Sequence, residues 1–515
     1  VTRDFLFERN RLGLARRLLH FVANPPVLVA AMLWGAVALA LTMAVVSAIN
    51  YEPLRWFGPP DEYQHRAAAR YYIDHWLPPK AGEPATLDTY SNYGLSYLNE
   101  TDFPYLFAGK FAALLAPVVP NHDLAFRLFD VVLFGILATF CGMRPAAFLI
   151  FSPLLLSPQI WYIFSYFNGD AFALFLAVLI AYQVAAPGSL FNANLDSPGL
   201  RRKISGAVVL GLLIGLLALS KKNYLAFLAF VPVAVALARF GWPSALLLAA
   251  SAIAAAGAYL KWVEVPLVQL WVAAAGGAAL VLLAILARPS TRRMRLNALF
   301  KCAIVCVVAA AVIVPRVWWD VVRYGSDEQK WAAIVHLQEE LAQPVYKPSR
   351  IYSEKHDGYY GIGLRDGGLT LRGLFRPPWD WHTKTFTTAT GQYGWIEYRA
   401  PWPYYLMMAA GYLALLAVYV QAVAHSREVA AGLGSLFVTI FAALTIAAAI
   451  YHSWVNDFQA QGRYLFPIVA LLGIGLQSVR DKTERQVVTC IVTACFALGV
   501  WSFIVIGLRQ IPKSF

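Results

Sequence analysis

Few residues of this chain carry charge, and those with the types and spacing to do chemistry fall in short stretches between apolar runs. The first stretch reads Gly58-Pro59-Pro60-Asp61-Glu62-Tyr63-Gln64-His65-Arg66. Two prolines halt an extended lead-in, and Asp61 is placed to open a helix. On that helix Asp61 and His65 share one side, while Glu62 faces Arg66 and Arg70 behind it. A carboxylate at this place suits a general base, with Glu62 as its neighbour and His65 able to orient it. The plainer alternative is an N-cap at Asp61 and an ordinary ion pair at Glu62.

A second acidic cluster, Asn99-Glu100-Thr101-Asp102-Phe103-Pro104, is either a helix cap ahead of proline or a second carboxylate, Glu100 or Asp102, facing Asp61. In Tyr166-Phe167-Asn168-Gly169-Asp170, Asn-Gly makes a turn and Asp170 starts the next helix. The stretch from Lys384 to Tyr404 is rich in Thr and Gly and reads as a covering loop, with Tyr393 and Trp395 as aromatic faces for a substrate. Two cationic stretches complete the set, Ser220-Lys221-Lys222-Asn223 and Gly462-Arg463-Tyr464. Ammonium and guanidinium groups at a membrane boundary suit a phosphate. Lysines reaching headgroup phosphates and an Arg463–Asp457 pair are the duller alternatives.

The elements that must hold these residues are membrane spans. The chain has 515 residues, of which 59% are hydrophobic and only 14% charged, and its mean hydropathy is +0.56. A soluble domain carries roughly 45 to 50% apolar residues. Apolar runs long enough to cross a bilayer lie at 26–49, 124–143, 145–164, 170–186, 204–220, 223–239, 242–260, 265–287, 298–317, 403–424, 429–450, 464–479 and 486–508. The expected fold is therefore an all-α polytopic membrane protein of about thirteen helices, a single membrane domain over 1–515. The formal charge of +13 comes mostly from short loops, a topological pattern that excludes nucleic acid as the partner.

A further candidate, 103–119, carries Lys110 and two prolines. If it does not cross, the basic clusters at Arg9–Arg17, Arg144, Arg201–Lys203, Arg239, Arg288–Arg295, His425–Arg427 and Arg480–Arg485 share the cytoplasmic side with the N-terminus. It is therefore expected to lie in the interface. Segments 50–123 and 318–402 then face outward with the loop 451–463, which makes Lys221, Lys222 and Arg463 exceptions to the positive-inside pattern. The five cysteines lie in or beside apolar runs and read as reduced, and the basic stretch before the first span reads as part of a retained anchor.

On PPDEYQH, NETDFP, FNGDA, the lysine after the fifth span and QGRYLFP, the chain resembles the GT-C integral membrane glycosyltransferases, which include aminoarabinose transferases and protein O-mannosyltransferases. Trp318-Trp319-Asp320 lacks the context of the oligosaccharyl transferase signature. The resemblance implies a GT-C-like fold in a bacterial inner membrane. It implies inverting transfer of a sugar from a polyprenyl-phosphate carrier to an envelope glycan or lipid on the periplasmic or outer face. Asp61 would then be the general base with Glu62 beside it. His65, Glu100, Asp102, Asp170, Tyr393 and Trp395 would meet the acceptor, and Lys221, Lys222, Arg463 and Tyr464 the donor phosphate. No metal site is assigned, although His65 beside carboxylates leaves a divalent cation open. The alternative is a transporter or flippase of a lipid-linked or small polar solute.

Overall fold

The computed structural model describes residues 24–51, 59–99, 101–195, 204–259, 292–353 and 361–509. Glu100, the expected span 265–287 and the clusters Arg9–Arg17 and Arg201–Lys203 lie outside them. Among the described residues eight helices are long and apolar enough to cross a bilayer: Pro25–Ile49, His122–Met143, Gly169–Leu195, Lys222–Arg239, Leu296–Tyr324, Trp402–Ser426, Val429–Val455 and Lys482–Leu508. The protein is an all-α polytopic membrane protein. The expected spans at 145–164, 204–220, 242–260 and 464–479 appear as shorter apolar helices.

The 145–164 segment shows why sequence hydropathy alone misjudges such pieces. Pro145, Pro153 and Pro158 divide it into short helical turns, Pro145–Ala147, Phe148–Phe151, Ser152–Leu155 and Pro158–Ile163. Irregular backbone is tolerated at membrane depth only when protein surrounds it. Every residue from Ala147 to Leu174 is buried accordingly.

Helix directions follow from close contacts at glycines. Trp34 lies against Gly135, and Ala30 against Gly142, so the Pro25–Tyr51 and His122–Met143 helices run antiparallel. Only an even number of crossings between them allows this, the arrangement that a non-crossing Phe103–Leu115 helix requires. At one end of the bundle the basic loops meet: His425 pairs with Glu484 at 2.9 Å, Arg480 with Glu428 at 2.7 Å, and Gln477 donates to the Ala146 carbonyl at 3.1 Å.

The opposite end carries the polar loops. Glu62–Asp74 and Phe103–Leu115 cross at Gly109, where a Cβ would stand 2.7 Å from the Ala69 carbonyl oxygen. The Arg292–Tyr324 helix has 33 residues, about 50 Å at 1.5 Å per residue, and so outruns a bilayer core of about 30 Å. Its projecting turns reach the first loop, Arg316 pairing with Asp102 at 2.9 Å and Arg323 with Glu83 at 3.3 Å. The second loop closes over this end. The Gln343 amide donates to the Asn92 carbonyl at 3.0 Å, Gly363 to Asn456 at 2.8 Å, and Phe458 back to Gly361 at 2.7 Å.

This arrangement puts Asn92 and Lys482 at opposite ends of the bundle. With the native cysteines replaced, Asn92→Cys and Lys482→Cys are expected to react with a membrane-impermeant thiol reagent from opposite sides of sealed vesicles. Labelling of both from one side would contradict the assigned helix directions.

Candidate functional site

Asp61 does not cap its helix. Its backbone is left-handed at φ 60°, and its carboxylate forms no capping hydrogen bond. A non-glycine residue held there costs free energy, which persists where surrounding contacts impose it. The contact is Arg463, whose Nη2 donates to Asp61 Oδ2 at 2.8 Å. Arg463 is itself buried, at 5% exposure, so its charge requires partners. It stands on the single 3-10 turn Gly462–Leu465, which the Trp381–Thr390 helix fixes in place. Gly462 donates to Thr388 Oγ1 at 2.8 Å, and a Cβ at Gly462 would fall 2.2 Å from Ala389.

From Arg463 the charges alternate inward. Its Nε lies 3.9 Å from Asp170 Oδ2, and Lys221 Nζ lies 3.2 Å from Asp170 Oδ1. Asp170 is brought there by Asn168, whose side-chain Oδ1 caps the helix by accepting from the Asp170 and Ala171 backbone amides at 2.8 and 3.1 Å. The same Asn168 donates to the Ile163 and Tyr166 carbonyls, which makes it a turn device as its sequence context suggests. Asp61, Asp170, Lys221 and Arg463 thus meet from four distant stretches. The buried Arg463 Nε and Nη1 make no well-aligned hydrogen bond, although the Tyr464 ring lies 5.4 Å from the guanidinium carbon. Nε keeps only its 3.9 Å approach to Asp170, an uncommon state for a buried donor.

Glu62 has a different role from the one its spacing suggests. It does not face Arg66 and Arg70, which both pair with Asp123 at 2.7 and 2.6 Å. Glu62 instead takes a two-pronged bond from Arg127, at 2.7 and 2.9 Å, and the Phe167 amide at 3.1 Å. Burial pushes the Glu62 carboxyl up, but Arg127, with Arg66 and the Phe167 amide adding to it, holds the group below its ordinary range. Glu62 therefore positions Asp61 beside it. Next to this pair Asp130 accepts from the Asn168 amide at 3.2 Å, while its other oxygen makes no hydrogen bond.

His65 does not orient Asp61. Its ring stacks on Tyr97 at 4.1 Å and its Nδ1 meets the Tyr105 hydroxyl at 2.8 Å. Burial, with Lys221 and Arg463 adding to it, pushes the imidazole well below its ordinary 6.5. Asp102 is likewise committed, to Arg316 and the Tyr72 hydroxyl, because a helix-crossing loop carries it toward the Arg292–Tyr324 helix. Asp457 bonds Gln459 at 2.7 Å and leaves Arg463 alone. Tyr393 is fully buried, its hydroxyl 3.1 Å from Ser502 Oγ, and packs as core rather than as a substrate face. Trp395 is half exposed on the adjoining hairpin turn. Lys222 lies 5.8 Å from the Trp331 ring, apart from its neighbour Lys221.

Sequence reasoning passed over Arg127 and Asp130. Charged residues inside an apolar run were the available signal. It also passed over a cleft beside Arg463, bounded by Pro60, Gln159, Tyr166, Thr388, Gln392 and Gln461. Among the described residues no group of three or more His, Cys, Asp or Glu side chains gathers to hold a metal ion. The carboxylates at the cleft are matched by Lys221 and Arg463 instead.

Breaking one partner of the buried Glu62–Arg127 pair is expected to cost about 3 to 5 kcal/mol. Thermal unfolding in detergent should show this for Glu62→Gln, with partial recovery in Glu62→Leu/Arg127→Met. A Glu62→Gln variant as stable as the parent would contradict the pair's structural role. For His65 the folded protein keeps the ring neutral, while the unfolded chain takes up a proton near its ordinary 6.5. Stability is then full above that pH and is lost as the pH falls below it. The acid-side decline in unfolding temperature should flatten in His65→Gln, and an unchanged slope would assign it elsewhere. Compared with known proteins, the chain matches no protein family, no curated protein and no solved structure.

Proposed function

We propose that the protein is an inverting glycosyltransferase of GT-C type. It moves a sugar from a polyprenyl-phosphate carrier to a hydroxyl of an envelope glycan or lipid, with Asp61 as general base. The single observation that supports this is the convergence of Asp61, Arg463, Asp170 and Lys221 at one end of the bundle, with Arg463 buried among them. On this reading the protein sits in a bacterial inner membrane with about thirteen crossings. Its N-terminus is cytoplasmic and the site outward, where the carrier phosphate reaches Arg463 from the lipid phase.

The chemistry follows from the charges. The donor phosphate takes the free face of the Arg463 guanidinium and draws on Lys221, which loosens Arg463 from Asp61 Oδ2. Asp61 then accepts the proton of the acceptor hydroxyl as its oxygen bonds to the anomeric carbon. The bond from that carbon to the phosphate oxygen breaks, and the released polyprenyl phosphate keeps the electron pair. Arg463 and Lys221 stabilise the negative charge that grows there. A divalent cation does not suit these side chains. The Asp61 and Asp170 carboxylates already face cationic nitrogens, and the His65 ring is turned into a tyrosine stack. No step is assigned to one.

A second reading, transport of a lipid-linked or small polar solute, draws on Asp130, a carboxylate buried within a span with one oxygen unbonded. The two separate in membranes supplied with a radiolabelled polyprenyl-phosphate hexose. Under the transferase reading Asp61→Asn stays folded and loses transfer to the envelope fraction roughly 10²- to 10⁴-fold. Arg463→Ala weakens donor binding roughly tenfold to a hundredfold or more, as expected for a buried charge partner. Near-normal transfer by Asp61→Asn would overturn the assignment. Translocation of the labelled carrier without transfer, abolished by Asp130→Asn, would favour the second reading.

A further inference from the structure

The Glu62–Asp74 and Phe103–Leu115 helices cross at Gly109, and the surface of their seam plays no part in the Arg463 cluster. With 13 residues the Phe103–Leu115 helix is about 20 Å long, too short to cross a bilayer core of about 30 Å. Phe107, Lys110 and Leu114 follow at helical spacing and share one face of it. That face is left uncovered. Leu114 is 81% exposed and Val118, just past the helix end, 80%, while Trp76, whose ring meets Lys110, is 71% exposed. Such a strip is poorly solvated by water, and a helix lying along a membrane buries its apolar face among acyl chains.

Cations stand beside the strip. Arg66 and Arg70 share one carboxylate, Asp123, at 2.7 and 2.6 Å. Arg70 is exposed, and only its Nη2 is spent on that bond. Lys110 Nζ donates to the Ile73 carbonyl at 3.1 Å and lies 4.2 Å from the centre of the Trp76 ring, which leaves two of its three hydrogens for another acceptor. Ile73 follows Arg70 by three residues, so both cations are anchored within one helical turn. Asp74 acts on Lys110 from that same turn. Three cations against Asp123 and Asp74 leave the seam one positive charge. Asp123 lies in the first turn of the His122–Met143 span, which sets the cations at the membrane boundary, where headgroup phosphates lie. We propose that this seam seats an anionic phospholipid of the adjoining leaflet. Arg70 and Lys110 take its phosphate, Trp76 lies at headgroup level, and an acyl chain runs along Leu114 and Val118. The seat is separate from the Arg463 cluster and independent of the reaction performed there.

Native mass spectrometry of the full chain, released from mixed micelles of phosphatidylglycerol and phosphatidylcholine in equal amounts, counts the lipids that stay bound. The expected result is a retained phosphatidylglycerol favoured about tenfold over phosphatidylcholine, the scale of a charge-assisted hydrogen bond. Arg70→Gln/Lys110→Gln should lose that lipid. Leu114→Gln/Val118→Gln, with both cations intact, should lose it too. Lys110→Gln alone leaves the Asp123 ion pairs in place and should weaken retention about tenfold, so it carries the test if the double variant fails to fold. Retention of the same number of lipids by these variants, or equal retention of the two lipids, overturns the inference. Displacement of the lipid by glycerol phosphate at matching concentration overturns it as well, since the seam would then be a phosphate site and not a lipid seat. An unfolding temperature within a few degrees of the parent confirms that each variant is folded.

Discussion

A charge held away from water has to be matched, and the polar end of this protein is organised by that requirement. Arg127 enters a membrane helix with no solvent to receive it. Glu62, brought from the loop that follows the Pro25–Ile49 helix, answers it with both carboxylate oxygens. The pair pins the start of the Glu62–Asp74 helix to the bundle and, through the Phe167 amide, to the turn that presents Asp170. Everything chemical nearby follows from that anchoring. With Glu62 drawn inward, Asp61 is left in a left-handed conformation with its carboxylate turned to Arg463.

The alternation Asp61, Arg463, Asp170, Lys221 is then a line of charges in which each is neutralised by the next, with donor capacity left over on the guanidinium. Such an arrangement is stable without ligand yet ready to exchange one partner for another. On the proposed transferase reading, a phosphate that displaced Asp61 from Arg463 would arm the base by the same event that binds the donor. The covering loop contributes through backbone contacts, Gly462 against the Trp381–Thr390 helix and Phe458 against Gly361, which fix where Arg463 stands.

Much of this was legible in the sequence. Lys221 and Arg463 stood out because they break a rule of loop charge, and both are in the cluster. Asp61 stood out after Pro-Pro as a candidate base, and its plainer alternative, a helix cap, is not formed. The misreadings share a cause. Glu62 and His65 were paired with neighbours along a helix and Asp102 was set facing Asp61, whereas their partners come from elsewhere: Arg127 for Glu62, Arg316 for Asp102, Tyr105 for His65. Local spacing cannot register partners 40, 65 and 214 residues distant. Tyr393 was misjudged for a related reason, since aromatic residues in a loop look alike whether they line a cleft or fill the core beneath it. The Arg292–Tyr324 helix runs past its apolar stretch because its last turns are stabilised by ion pairs with the first loop, which hydropathy does not record.

The most direct test of this account measures the affinity of bare polyprenyl phosphate for the parent protein and for Asp61→Asn. If Arg463 must leave Asp61 to hold the phosphate, removing the carboxylate charge frees it. Asp61→Asn should then bind the carrier about tenfold tighter or more, the scale of a charge-assisted hydrogen bond. Unchanged or weaker binding would contradict the exchange of Arg463 between Asp61 and the donor.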